Sequence, residues 1–149
     1  MKRQSRLDRV RAIERELSVA SLGCEFLKDG IREEPEVLSL RDLRPRDVDA
    51  YIKNLEPTYL VRLFAEFEAA LRDLWRNGYR RKSDPLVRTL IDSVAVRCHI
   101  SPANLKEVHR VRSFRNSVVH EGTLGSAEVE FGEARTALSK FLAMLPLNW

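Results

Sequence analysis

The chain has 149 residues, enough for one domain that buries roughly two-thirds of the surface exposed by the unfolded chain. Its composition, 44% hydrophobic and 32% charged, excludes an intrinsically disordered protein, and only 6 glycines and 6 prolines argue against an all-β fold. No apolar stretch reaches the length of a membrane span, and no apolar segment follows the basic N-terminus. We therefore expect a cytoplasmic protein with no membrane association.

The net charge and the two cysteines narrow the range of possible functions only slightly. The net charge of +4, from 26 basic and 22 acidic residues, suits an anionic partner such as RNA but is shared by many helical proteins. Cys24 and Cys98 form no cluster with each other or with histidine. The sequence therefore predicts no disulfide, no metal site and no cofactor.

The first 56 residues are predicted to hold an N-terminal helix and a variable connection. Apolar residues at spacings of three and four predict a helix over residues 5–27, with Gly30 just past its end. Residues 31–46 are predicted to form an ordered connection, and residues 47–55 a short helix. The apolar residues of the connection either make a short strand or pin it to the core: Val37, Leu38, Leu40 and Leu43.

Four further helices are predicted from Pro57 onward. Pro57 begins the first of them, which Gly78 closes and which has one apolar stripe: Leu60, Leu63, Phe64, Phe67, Leu71, Leu74 and Trp75. Ser83-Asp84-Pro85 is predicted to open the next, with these buried residues: Leu86, Leu90, Ile91, Val94 and Cys98. Ser101-Pro102 opens a third that runs to about His120, where Glu121-Gly122 stops it. The last covers residues 126–145 and buries the following: Phe131, Ala134, Leu138, Phe141, Leu142 and Leu145.

These elements predict an all-α fold, a compact bundle of about five helices in one domain over residues 1–149. Its core is expected to comprise three to four helices within residues 57–145.

The helix that ends near His120 departs from its own pattern at Arg115. Its apolar side is predicted to face the core through Val108, Val111, Phe114, Val118 and Val119, and Arg115 falls inside that arc. A guanidinium there costs several kcal/mol unless it is paired or borders a wet cavity. Two alternatives remain open: Arg115 bridges a buried acid such as Glu66 or Glu68 on the neighbouring helix, or it lines a cleft, expected between two subunits, where it meets an anion.

A second, polar stripe lies on the same helix. It consists of His109, Arg112, Asn116 and His120, each three or four residues from the next. A single histidine near a helix C-terminus is ordinarily structural, since it interacts favourably with the helix dipole. The presence of arginine, asparagine and histidine within six residues indicates a functional site instead.

The segment Arg115-Asn116-Ser117-Val118-Val119-His120 resembles the Arg-x(4–6)-His signature of the HEPN domains. The resemblance covers roughly residues 57–145, with the motif near the end of the penultimate helix. It implies a metal-independent endoribonuclease that acts on RNA as a homodimer, with two motifs facing one cleft, and a toxin or anti-phage role with an antitoxin or defence-system partner. It also assigns the catalytic residues: Arg115 would hold the scissile phosphate, His120 would transfer protons, and Asn116 would orient His120 or the phosphate.

We add to this set Arg112 and His109 as substrate-binding residues, and Glu66 and Glu68 as supporting acids. Some HEPN proteins carry a tyrosine, modified by a partner nucleotidyltransferase, where this chain has Gly122, so a partner of that type is not expected. Two alternatives are a non-catalytic HEPN-like module that binds nucleotide, RNA or protein, and a purely structural helical adaptor.

Overall fold

The computed structural model describes residues 2–120 and 127–149, which fold into six helices and contain no strand. The predicted all-α class is confirmed. None of the helices combines the length and the hydropathy needed to cross a membrane, over the residues described. The helices are α1 (Arg3–Glu33), α2 (Glu36–Ser39), α3 (Pro45–Asp73, prolonged by a π-helical turn over Leu74–Gly78), α4 (Val87–Arg97), α5 (Pro102–Val119) and α6 (Phe131–Ala143).

Helix α3 is the centre of the bundle, and α1, α4, α5 and α6 all contact it. The predicted apolar stripe from Leu60 to Leu74 is buried, and Trp75 packs against it from a half-buried position. The ring of Phe67 packs edge-on against Phe141 of α6, with 5.3 Å between ring centroids. Burial of this stripe is the largest apolar contribution that one helix makes to the core.

The predicted break before Pro57 is wrong, because α3 runs through this proline without interruption. A proline inside a helix removes one backbone hydrogen bond and crowds the preceding turn, at a cost of about 3 kcal/mol. Packing of α3 along α1 offsets that cost. The helix begins instead at Pro45, where the backbone N–H of Arg44 donates to Asp47 at 2.8 Å.

Helix α1 is longer than predicted and belongs to the core. It continues to Glu33, so Gly30 lies inside the helix and not beyond its end. Val10 and Ile13 join the same buried cluster as α3 and α6, which extends the core beyond the segment that starts at Pro57. The connection that follows forms the short helix α2, with Leu38 buried and Leu40 exposed.

The two helices that flank α5 begin later than predicted. Asp84 does not cap α4, because its carboxylate is bound by Arg72 and Arg76, and Leu86 is 81% exposed where burial was expected. Helix α6 begins at Phe131, where Glu130 and Glu133 form a capping box. The predicted stop at Glu121-Gly122 and the predicted start at Ser126 lie in residues 121–126, outside the described residues.

Asp73 joins α1, α3 and the C-terminus through three donors. Its carboxylate accepts hydrogen bonds from Arg6 at 3.2 Å, from the indole N–H of Trp149 at 2.7 Å and from the amide of Asn77 at 2.6 Å. Partial burial alone would raise the pKa of Asp73, but the hydrogen bonds from Trp149, Asn77 and Arg6 outweigh it and lower the pKa. Folding is therefore coupled to the ionisation of this group.

We predict that Asp73→Asn destabilises the protein at pH 7 by about 1–3 kcal/mol, the range for hydrogen bonds to a charged group. A carboxyl group whose pKa is lowered by folding adds stability above its unfolded-state pKa, near 4, and loses it as the pH falls through its folded-state pKa. The difference in melting temperature between wild type and variant should therefore shrink below pH 4. A difference that is constant from pH 7 to pH 3 would contradict this account.

Candidate nucleic-acid site

The candidate site is on α5, whose ends form as predicted. The hydroxyl of Ser101 accepts a hydrogen bond from the backbone N–H of Asn104 at 3.2 Å, with Pro102 in the first turn. Val108 and Val111 are fully buried and fix α5 against its neighbours. Arg112, Arg115 and Asn116 are adjacent on this helix at spacings of three and four residues. We call these three residues the arginine face of α5.

Arg115 lies at the edge of the core. Its guanidinium carbon is 5.7 Å from the ring centroid of the buried Phe64, a cation–π distance, and one terminal N–H donates to the side-chain oxygen of Asn116 at 3.1 Å. Its Nε is buried and finds no hydrogen-bond partner among the described residues. Asn116 and Phe64 thus orient this cation without neutralising it.

Glu66 and Glu68, the two predicted partners, do not bind Arg115. Glu66 faces α1 and lies 3.7 Å from Arg6 and 3.4 Å from Arg9, and Glu68 is bound by Arg72 at 2.7 Å. The predicted bridge from Arg115 to Glu66 or Glu68 is therefore wrong. Neither acid supports the candidate site directly.

Arg112 is also unpaired within the described residues. It makes no hydrogen bond or ion pair with any of them, and its buried Nε has no partner there. The other arginines that are at least partly buried are each bound by a carboxylate or by backbone carbonyls: Arg3, Arg6, Arg72, Arg110 and Arg135. Among the described residues, Arg112 and Arg115 are thus the partly buried arginines that have neither a carboxylate nor a backbone carbonyl as partner.

His109 connects α5 to α4. Its Nε2 lies 2.7 Å from a carboxylate oxygen of Asp92, and its Nδ1 is buried with no partner among the described residues. His109 does not join the arginine face in a contact, and its substrate-binding role stays a prediction. Asp92 is not among the residues predicted from the sequence, because nothing in the local pattern of α4 connects it to a residue of the next helix.

His120 is where α5 ends. Its backbone has left the helix, with φ −112° and ψ 96°, although its N–H still donates to the carbonyl of Asn116 at 2.9 Å. The residue is exposed, and so is Val119, 46% of whose surface is accessible, contrary to its predicted place in the core. The arginine face therefore opens to solvent at the His120 end of the helix.

The described residues include no group of three or more histidines, cysteines or acids that could hold a metal ion. In comparisons with known proteins, no family model matches the chain, and no curated protein or solved structure is significantly similar to it.

The first prediction for this site concerns the stability of Arg115→Ala. Because Arg115 has no carboxylate partner among the described residues, its removal forfeits the contact with Phe64 and the bond to Asn116 but also relieves its repulsion with Arg112. We expect a loss of about 1 kcal/mol or less and a change in melting temperature of a few degrees.

Arg6→Ala is the matched control, because Arg6 is buried and bound to Asp73 and Glu66. Breaking such a pair costs about 3–5 kcal/mol, or about 10 °C or more in a domain of this size. A fall in melting temperature for Arg115→Ala as large as that for Arg6→Ala would show that Arg115 is structural.

Proposed function

We propose that this chain is a metal-independent HEPN-type endoribonuclease that cleaves RNA with Arg115, Asn116 and His120. The observation that carries the proposal is the arginine face, two neighbouring guanidinium groups without a carboxylate partner in the described structure. Two such cations repel each other and hold buried Nε atoms without acceptors, which lowers stability. An anion with several oxygens, such as a phosphodiester, would supply the missing charge and the missing acceptors.

The proposed reaction is attack of a ribose 2′-oxygen on the adjacent phosphorus. The new O–P bond forms a 2′,3′-cyclic phosphate as the bond to the 5′-oxygen of the next nucleotide breaks. A base must take the 2′-hydroxyl proton, an acid must protonate the leaving 5′-oxygen, and a fixed cation must stabilise the charge on the phosphoryl oxygens. Histidine titrates near neutral pH and arginine stays charged, so these two residue types meet all three requirements without a metal ion.

Each residue of the motif has a distinct role in this scheme. Arg115 holds the phosphate with the N–H groups that face away from Phe64, and Asn116 fixes the guanidinium through its 3.1 Å hydrogen bond. His120 transfers protons from the exposed end of α5, and Arg112 binds a neighbouring phosphate one helical turn away. Asn116 is thereby a positioning residue for Arg115.

As the HEPN resemblance implies, we further propose that two copies place their motifs at one cleft and that the enzyme serves as a toxin or an anti-phage effector. The half-exposed Val119 beside the arginine face would be buried in such a dimer. An antitoxin or a defence-system protein would be its partner.

We predict that the purified protein cleaves RNA in EDTA and leaves 2′,3′-cyclic or 3′-phosphate ends. Arg115→Ala and His120→Ala should each lower the cleavage rate by about 10²-fold or more. Arg110→Ala is the matched control, since Arg110 is on the same helix but is bound by Glu107 and Glu133. It should keep the wild-type rate.

If Arg115→Ala and His120→Ala both retain full cleavage, the assigned site is wrong. If the wild-type protein binds RNA and leaves it intact, the chain is a binding module, the alternative that an unpaired arginine face also favours. In that case Arg112→Ala should weaken binding and reduce the slope of log K against log salt by about 0.7, the value for one phosphate contact to a single strand.

The shared cleft has its own test, in which the inactive Arg115→Ala and His120→Ala proteins are mixed in equal amounts. Half of the dimers are then mixed, and each mixed dimer retains one intact Arg–His pair of two. About a quarter of the wild-type rate should return. Mixtures that stay inactive while subunits exchange would show that each cleft draws both residues from one copy.

A further inference from the structure

The outward face of α1 has an apolar centre that is largely exposed in the described structure. At 100° per residue, Val19, Leu22 and Phe26 lie within about 40° of one line along the helix. Their exposed fractions are 70%, 53% and 71%. The core-facing residues of α1, among them Val10 and Cys24, lie on the opposite side of the helix. A surface helix ordinarily carries polar residues where this one carries valine, leucine and phenylalanine.

This face belongs to a part of the chain with almost no core of its own. Across residues 18–51 the only buried side chains are those of Cys24 and Leu38. The chain exposes 9722 Å², about a quarter more than the roughly 7,800 Å² expected for a compact monomer of 17.2 kDa. The excess is more than the roughly 800 Å² that each partner buries in a stable interface.

We propose that α1 is a self-association surface on which a second copy of this chain packs antiparallel, about a two-fold axis near Leu22. In that arrangement the two Leu22 side chains meet, and Val19 of each copy packs against Phe26 of the other. A shallow groove next to Val19, between α1 and α3, would receive that phenyl ring; its lining residues are Ala12, Arg15, Glu16, Val19, Ala20 and Tyr59.

Charge along the same line of α1 selects an antiparallel copy as the occupant. Arg11 and Arg15 precede the apolar centre, and Asp29 and Glu33 follow it, all exposed on this face. Antiparallel pairing about Leu22 puts Arg15 opposite Asp29 and Arg11 opposite Glu33, whereas parallel pairing would put like charges together. The face is therefore complementary to itself.

The ion pairs that exist within α1 do not prevent these charges from pairing between two copies. Arg11 now pairs with Asp8 and Asp29 with Arg32, both within a single turn of α1 and highly exposed. Exposed pairs of this kind contribute less than about 1 kcal/mol, so they can rearrange when a second copy binds. Arg15 forms no ion pair within the described residues.

The proposed contact includes no residue of the arginine face and does not depend on ribonuclease activity. Leu22→Cys tests its geometry, because the two introduced thiols would meet at the two-fold axis, within the spacing that a disulfide requires. Mild oxidation at tens of micromolar should convert most of this variant into a covalent dimer. Val96→Cys is the matched control, since Val96 is 78% exposed but lies on α4, and it should remain uncrosslinked.

Substitutions that reverse the charges of Arg15 and Asp29 test the antiparallel orientation of the two copies. Arg15→Glu places like charges together across the axis and should at least halve the mass measured by light scattering, as should Asp29→Arg. The double variant Arg15→Glu/Asp29→Arg restores opposite charges and should restore the wild-type mass. Circular dichroism would confirm that all three fold.

The proposal is overturned if the wild type is monomeric at 100 µM, or if neither the Leu22→Cys crosslink nor the loss of mass with the charge variants is seen. Leu22→Cys crosslinking without rescue by the double variant would overturn the antiparallel orientation. If the charge variants behave as expected but the wild type does not cleave RNA, the ribonuclease proposal is wrong and the self-association surface is unaffected.

Discussion

The acids that flank the apolar face of α3 are bound by arginines other than Arg115. Glu66 and Asp73 both bind Arg6 of α1, and Glu68 binds Arg72 one turn further along α3 itself. These contacts attach α1 to the bundle and use the carboxylates nearest to the core. Arg115 approaches the same helix from α5 and meets the ring of Phe64 instead of an acid. The ion pairs that stabilise the fold thus leave the arginine face without a counter-charge from residues 2–120 and 127–149.

The arginine face has the physical character of a site built on a rigid element. Val108 and Val111 fix α5, and the guanidinium of Arg115 lies over the ring of the buried Phe64 and donates to Asn116. A guanidinium held in this way loses less side-chain freedom when it binds a phosphate, because its orientation is already set. The cost is a buried Nε without an acceptor, which a protein under selection for stability alone would be expected to remove.

Features that follow from residue spacing along a helix were predicted correctly. Features that depend on contacts between residues distant in sequence were not. The apolar stripe of α3, the cap and proline of α5, and the buried face of α6 follow from local spacing, and the structure has all three. The sequence predicts a helix start at Pro57 because the local pattern contains no information on the packing of α1 along α3. The contact between Asp92 and His109 joins two helices, and no local pattern encodes it. The apolar arc of α5 identified Arg115 as an exception, but only the structure shows that Glu66 and Glu68 bind other arginines.

The order of charges along the helix differs between the outward face of α1 and the arginine face of α5. On α1, Arg11 and Arg15 at one end of the apolar centre are matched by Asp29 and Glu33 at the other, so these four charges are complementary to those of a reversed copy. On α5, Arg112 and Arg115 have no acidic counterpart within their turn of the helix. Such a face repels a copy of itself unless an anion lies between the two. The proposed cleft of two motifs therefore needs an anion such as RNA phosphate between the two arginine faces.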